Sequence, residues 1–597
     1  MKRMKLFIKS IGYSFRLIYR SSKLTILIYL ALNLLCETFP LLSAFVLKYV
    51  LDILAMESPL GSTLIICIGL YVAALVILQG LNSAKNVVYD SVFKKAEYLY
   101  DSELLAKLAK LPLSFLDTSA GKDIVNDVRY TGNTAVYLTY RIVRIATLFY
   151  TFCVAFGTLI ALHFWFSLLF LVLTVPGIVL NVVFDRKAED VRRTTAPDVR
   201  RFCYYRWMLT DAWPAKDVRT YDLTEPIKAR YDDEKDEYRK ANKQLDQKKL
   251  GASILAEFIM RSGEIAFTIF VVLRALSGEM TIGDVALYIG FSISASSSFQ
   301  IMTSIFVMGY TRTTKKMGRL FEFLSINCRD ESRGSRELEN FESLAFDNVF
   351  FKYPMTDKYV LSGVSFRLNR GDKLSIVGIN GSGKSTIIKL MLGLYEIESG
   401  QILINGYPMS EYEIKDVRRL FSALFQSFVQ YPVTLRDNIV LSDCDRANHD
   451  EEIIEVLKQS GVYDELLTKL ENGLDSYMTR RFDDKGAELS KGQWQKVALS
   501  RAYFKNAPIV IFDEPSAALD AEAEDRIFSN FEAISNNKTC IMISHRISTA
   551  RMSNKIIVLD RGVIAEQGTH DELVNFDGLY AKLYNLQKEK YAVKEAE

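Results

Sequence analysis

Lys384 and Ser385 close the run 378–386, GINGSGKST, in which Gly378, Gly383, Lys384 and Ser385 hold the spacing G-x-x-x-x-G-K-[ST]. Glycines let a backbone curl until its N–H groups converge, and a helix N-terminus just behind them adds positive dipole. The resulting loop, with Ile379, Asn380, Gly381, Ser382 and Thr386 as its other members, cradles phosphate oxygens. Lys384 would neutralise the β- and γ-phosphates and the Ser385 hydroxyl would hold Mg²⁺, so a triphosphate is the expected guest. An accidental glycine-rich turn is the bland alternative, but it would not need the flanks found here. The run 374–377 (LSIV) reads as a buried strand and 387–392 (IIKLML) as a helix with an apolar face.

Other groups suited to phosphate chemistry stand at the ends of apolar runs. The strand-like 509–512 (IVIF) delivers Asp513 for a metal shell and Glu514 to orient or deprotonate water. Gln426 ends 420–425 (LFSALF), where its amide could reach the metal or the attacking water, although strand-end glutamines are common. His545 follows 540–544 (CIMIS) and reads either as a γ-phosphate contact or as an ordinary strand-end histidine. Tyr353 follows 349–352 (VFFK) and offers a ring on which a base could stack for about 1–3 kcal/mol, or a core aromatic. Ser490 and Gln493 form a capping box ahead of 494–501, and with the Gly492 N–H that helix start could face a phosphate.

These elements fill the chain from about Gly334 onward, alternating as in a soluble α/β domain. A chain of 597 residues exceeds one core, and 49 % hydrophobic residues coexist with 24 % charged because the two kinds segregate. Charge-free runs occupy 58–84, 145–184 and 285–311, and 24–47 is apolar apart from Glu37. At ~1.5 Å per residue the run 145–184 is too long for one crossing of a ~30 Å core, so a turn is expected at 163–167. The long connections 85–144 and 185–250 are basic and belong inside. Six spans follow, at about 24–54, 61–84, 145–162, 166–185, 256–276 and 285–311, with both termini cytoplasmic. The expected domains are 1–325, a linker 326–342, 343–585 and a tail 586–597. The stretch 6–19 reads as an amphipathic helix on the membrane surface. A net charge of +3 gives no argument for a nucleic-acid partner, and seven scattered cysteines fit reduced thiols better than disulfides or zinc. No small-residue cleavage site follows the basic start, which reads as a retained cytoplasmic end.

In this order the motifs resemble the nucleotide-binding domain of the ATP-binding cassette (ABC) family, and the chain to about Tyr584 resembles its exporter-type half-transporters. The resemblance implies a multidomain membrane protein: an all-α six-helix transmembrane domain of the type I exporter fold, then an α/β P-loop ATPase domain. It puts Walker A on 378–385, Walker B on 509–513, the catalytic glutamate on Glu514 and the switch histidine on His545. It puts the adenine-stacking aromatic on Tyr353, the Q-loop on Gln426 and the D-loop on 516–520, ending at Asp520. Ser490, Gly492 and Gln493 then belong to the signature, usually L-S-G-G-Q, in which Lys491 here replaces the first glycine. With Ser490 and Gly492 retained, phosphate capture is expected to survive, Lys491 facing solvent or adding a cation near the nucleotide. The runs 111–117 (LPLSFLD, followed by Gly121) and 215–221 (AKDVRTY) resemble the two coupling helices.

For function the resemblance implies ATP hydrolysis with Mg²⁺ at sites that each need a second cassette. A second half-transporter is therefore required, and the presence of both Glu514 and His545 points to a homodimer. The expected setting is the lipid bilayer of a bacterial inner (plasma) membrane, with the ATPase domain cytoplasmic. Closure of the cassettes on ATP would be passed to the spans and move a substrate outward. The run 512–520 and Trp494 are similar to exporters of ribosomal peptides such as lanthipeptides, so a peptide is one candidate cargo. Drugs and lipids are the alternatives, and an ATP-gated channel or regulator is the other class. The stretch before Leu24 is too short for a leader peptidase, so trimming by this chain is not expected. Glu257, Arg261 and Glu264 share one helix face and, with Glu37, are the candidate cavity residues; a structural Glu–Arg pairing is the alternative.

Overall fold

A computed structural model describes residues 2–55, 61–129, 131–327, 334–514, 538–544 and 550–592. Contacts divide the chain into two units, Met1–Ala109 with Asp123–Ile326, and Lys110–Lys122 with Asn327–Glu597.

The first unit is helical. In chain order α1 (Lys2–Ser21), α2 (Lys23–Leu54) and α3 (Gly61–Leu108) precede α4 (Leu113–Leu116), a short helix of the second unit. Then come α5 (Ser119–Arg129), α6 (Gly132–Leu162), α7 (Phe164–Thr194), α8 (Ala196–Thr210), α9 (Ala215–Thr220), α10 (Thr224–Leu276) and α11 (Ile282–Ser325). Among the described residues α2, α3, α6 and Ile282–Phe306 of α11 are long and apolar enough to cross a membrane. The expected spans fall on α2, α3, α6, α7, α10 and α11, but α3, α10 and α11 run well past their apolar parts. The extensions are polar stretches such as 227–250, free of glycine and proline and rich in Lys, with Arg, Gln, Glu and Ala beside it, which propagate a helix once it is started. The break between α6 and α7 comes at His163, whose φ of −160° leaves the helical region. The amphipathic start is α1, and its apolar face is packed rather than bare. Phe7 meets Tyr310 at 5.1 Å and Tyr13 meets Phe321 at 5.8 Å, both on α11.

Polar groups fix the register between these helices. Glu37 on α2 accepts from Arg144 and, at 3.1 Å, from Thr151 Oγ1, both on α6. Lys48 pairs with Asp284 at 2.5 Å, while Asp52 accepts from the Gly283 N–H at 2.8 Å at the capped start of α11. An apolar core of Leu41, Leu159, Phe267, Val271 and Phe291 lies among them.

In the second unit, β1 (Ser343–Phe351), β2 (Leu361–Asn369), β4 (Ser399–Ile404) and β5 (Tyr407–Pro408) form an antiparallel sheet in the order β2-β1-β4-β5. The larger sheet has the order β10-β9-β3-β8-β7-β6. Its strands are β3 (Lys373–Gly378), β6 (Phe421–Leu424), β7 (Ile509–Asp513), β8 (Thr539–Ile543), β9 (Lys555–Asp560) and β10 (Val563–Gly568). β6, β7, β8, β3 and β9 are parallel, and only β10 is antiparallel. Every residue of β7 and β8 is buried, as a parallel sheet covered on both faces requires. Parallel order has a functional consequence: it brings the residues after β3, β6 and β7 to one edge of the sheet.

Residues 110–122 fall inside the range 1–325 expected for the membrane domain, yet they pack with the second unit. Leu113 packs against its apolar core, and the Tyr395 hydroxyl donates to the Asp117 carboxylate.

Candidate functional site

The glycine loop follows β3 and leads into the helix Lys384–Met391, as the flanking apolar runs require. Gly381 and Gly383 have φ of +79° and +108°, values that only glycine adopts without strain. A Cβ at Gly383 would also lie 2.7 Å from Leu361 Cδ2, and one at Gly378 would collide with the Leu559 carbonyl oxygen. Lys384 is buried and its ammonium donates to Gly378 O at 2.8 Å and Ile379 O at 3.0 Å. Burial pushes that ammonium down from its ordinary range, with Glu514 and Asp513 acting in opposition. The Ser382 hydroxyl is buried in the loop without a hydrogen-bond partner. An unpaired buried hydroxyl at the heart of a phosphate cradle is what an incoming oxygen would satisfy.

Asp513 ends β7 and Glu514 follows it. Ser385 Oγ donates to Asp513 Oδ1 at 3.4 Å, a long contact that a shared ligand could tighten. Burial and the neighbouring Glu514 raise the Asp513 carboxyl above its ordinary range, partly offset by Ser385 and Lys384. Glu514 adopts φ +51°, a left-handed conformation that costs a non-glycine residue of order 1–3 kcal/mol. Its N–H donates to Ile543 O at 3.0 Å, and its carboxylate accepts from Gln426 Nε2 at 2.5 Å. The loop lysine is thus bonded to its own loop, and the Gln426 and Glu514 side chains to each other. The Ser385 hydroxyl and the Asp513 carboxylate form a hard oxygen set at the sheet edge, with the Gln426 backbone N–H on Asp513 and its side-chain amide on the neighbouring Glu514. That set, with a buried carboxylate short of countercharge, fits a divalent cation such as Mg²⁺.

Tyr353 is half-buried beside a cavity of 990 Å³ in the second unit. Its hydroxyl bonds Thr386 Oγ1 at 3.1 Å and accepts from Lys389 Nζ at 3.2 Å, fastening the ring to the helix after the loop. Tyr395 meets it edge-on at 5.4 Å. Ser490 caps the helix Lys491–Lys505 with both capping-box bonds formed, at 3.2 and 3.1 Å. The other bonds of Gln493 run to Lys469 and Glu465 rather than to the glycine loop. Lys491 is exposed at the first position of that helix. His545 and Asp520 lie outside the described residues.

Glu37 is not brought to the α10 cluster. It pairs with Arg144, whereas Glu257 and Glu264 both bond Arg261, at 3.0 and 2.6 Å, within their own helix. Sequence reasoning missed Arg501. Its guanidinium donates to Val429 O at 3.1 Å and Asn438 Oδ1 at 3.0 Å, tying the helix Lys491–Lys505 to the chain just after Gln426. It also missed Tyr395 and Lys389, because an aromatic or a lysine on a helix carries no motif of its own.

Comparison with known proteins accounts for this assembly. The family described as ABC transporter matches residues 361–517, and the ABC transporter transmembrane region matches 26–299. The subtilin transport ATP-binding protein SpaT of Bacillus subtilis is 29 % identical over 98 % of this chain and 95 % of its own. The nisin transport ATP-binding protein NisT of Lactococcus lactis subsp. lactis is 29 % identical over 95 % and 94 %. An ATP-dependent lipid A-core flippase of Haemophilus ducreyi is 33 % identical over 53 % of each chain. In fold, the chain superposes on a bacterial Atm1-family ABC exporter with ATP bound, with TM-score 0.77, 24 % identity and coverage of 95 % and 98 %. A helical unit of the type I exporter fold ahead of an α/β cassette with this phosphate loop therefore has one identity: the chain belongs to the ABC transporters and is an ATP-hydrolysing, membrane-spanning exporter.

Proposed function

We propose that the protein exports a peptide across a bacterial plasma membrane as a homodimer. Coverage carries this reading. The subtilin and nisin transport proteins match along nearly the whole chain, whereas the lipid A-core flippases and a putative multidrug exporter, at 30–33 % identity, match no more than 62 % of it. Their slightly higher identity makes a lipid or drug the second reading.

Dimerisation is supported by what each chain leaves incomplete. Ser490, Gly492 and Gln493 are held on a helix start whose bonds lead away from the glycine loop, so a second cassette supplies the signature. Around α9, the second coupling stretch, Trp213 and Tyr221 are 80 % and 70 % exposed, a patch suited to a partner chain. In the membrane the six runs 24–54, 61–84, 145–162, 166–185, 256–276 and 285–311 cross, and both termini and the cassette are cytoplasmic.

Each residue then has a task. Tyr353 carries the adenine, and Lys384 leaves the Gly378 and Ile379 carbonyls to meet phosphate oxygens. Ser385, Asp513 and Gln426 would hold Mg²⁺, which would supply positive charge against the phosphates. Glu514, released by Gln426, orients the water and takes its proton, and His545 contacts the γ-phosphate while Asp520 completes the facing site. Glu257 and Arg261, about half exposed, would meet cargo, while Glu37 ties α2 to α6 and Glu264 holds Arg261 within α10. Inside-out vesicles given a labelled cationic peptide, a dye and a labelled lipid test the reading. ATP-dependent peptide uptake is expected. Movement of lipid or dye alone would overturn the peptide reading, and flux without ATP hydrolysis would overturn export itself.

A further inference from the structure

A cavity of 390 Å³ opens between α2, α3 and α6. Tyr29, Tyr89 and Tyr140 line it as a linked set, with centroids 5.9 Å apart for Tyr29–Tyr89 and 5.1 Å for Tyr89–Tyr140. Tyr137 stands at its rim, 48 % exposed. Asn33, Lys85, Asn86 and Arg144 supply the rest of the polar lining. The two cations differ. Arg144 is matched by Glu37, whereas Lys85 donates to Asn82 Oδ1 at 2.9 Å and makes no ion pair among the described residues. The cavity therefore carries one uncompensated positive charge, with phenol hydroxyls and amides as neutral donors around it.

The sequence sets its depth. Lys85 comes directly after the charge-free run 58–84, and Arg144 directly before 145–184. Both cations thus mark the same boundary of the hydrocarbon, the one next to the basic connection 85–144. Tyrosines are at home at that depth. From there α3 runs into the bilayer with its apolar surface bare: Ile65, Ile66, Leu70, Val72, Val76 and Ile77 are 49–72 % exposed.

We propose that this cavity binds the phosphate of an anionic lipid of the cytoplasmic leaflet, with the acyl chains lying along α3. A single ammonium with hydroxyl and amide donors suits one phosphodiester charge. The adjoining apolar surface favours an amphiphile over free phosphate or a water-soluble carboxylate. The inference takes its depth from the proposed topology and is independent of what the transporter carries.

Full-length protein is reconstituted in nanodiscs of phosphatidylcholine with a minority of phosphatidylglycerol, and the lipids still bound after release are counted by native mass spectrometry. Wild type should retain phosphatidylglycerol in preference to phosphatidylcholine. Lys85→Ala should reduce that preference about tenfold, the scale of one charge-assisted contact, and Lys85→Arg should keep it. Equal preference in wild type and Lys85→Ala overturns the proposal. So does displacement of bound phosphatidylglycerol by inorganic phosphate or by a peptide with a free carboxylate.

Discussion

Removing one oxygen atom from Tyr395 isolates the contact between the segment 110–122 and the rest of the cassette fold. The ring is 4 % exposed and packs edge-on against Phe351 at 5.7 Å and Tyr353 at 5.4 Å, so Tyr395→Phe keeps the apolar contacts. Only the hydroxyl donated to Asp117 is lost. Burial, then Asp117 itself, hold that phenol above its ordinary range, so it stays a donor at any pH the protein meets. A hydrogen bond to a charged group is worth about 1.5–3 kcal/mol, but the Asp117 carboxylate is exposed and regains water, so about 1 kcal/mol is the reasonable loss. If α4 opens locally from the cassette, that is roughly a fivefold rise in opening. The amides of Phe115, Leu116 and Asp117, bonded to Pro112 O and Leu113 O at 3.0–3.3 Å, report it by hydrogen exchange. Faster exchange confined to 113–118, with more ATP hydrolysed per molecule transported, is the expected pair of results. Unchanged exchange there would refute the role of the bond, and acceleration throughout β1 and β4 would show that packing, not the hydroxyl, had been disturbed.

Lys491→Gly restores the usual signature; because Lys491 is exposed at the helix start, ATPase should stay within about twofold, and a several-fold rise would mean that the lysine obstructs the site. Asp513→Asn removes a carboxyl that the fold holds above its ordinary range. Stability tied to its protonated form is present at acid pH and lost as pH rises through the raised value, so the Tm gap between Asp513→Asn and wild type should open in favour of the variant as pH rises above the ordinary carboxylate range without nucleotide. A constant gap would contradict this. Arg501→Lys loses the fork that spans Val429 O and Asn438 Oδ1; a cost of about 1–2 kcal/mol in unfolding and a weaker ATPase are expected, and wild-type values for both would assign Arg501 to the surface.

The phosphate loop was legible because its constraints are local. Two glycines at positive φ, a strand before and a helix after are all written within 374–392, and the Ser490–Gln493 box is equally local. What required the fold was long-range. By sequence Glu37 falls with Glu257, Arg261 and Glu264 as a charge in an apolar helix, but its partner Arg144 is 107 residues away. The affiliation of residues 110–122 with the cassette depends on Leu113 and Asp117 meeting β-sheet residues and Tyr395, which no spacing records. The left-handed backbone of Glu514 and its bond to Gln426, 88 residues away, likewise arise only when β6 and β7 pair.

Hydrolysis at this site is expected to depend on Glu514. In the purified full-length protein, Glu514→Gln keeps the side-chain shape while removing the carboxylate that would take the proton of water. Steady-state ATP hydrolysis should fall by about 10²–10⁴-fold while ATP binding, measured on the same sample, is retained. Turnover at the wild-type rate would contradict the central claim.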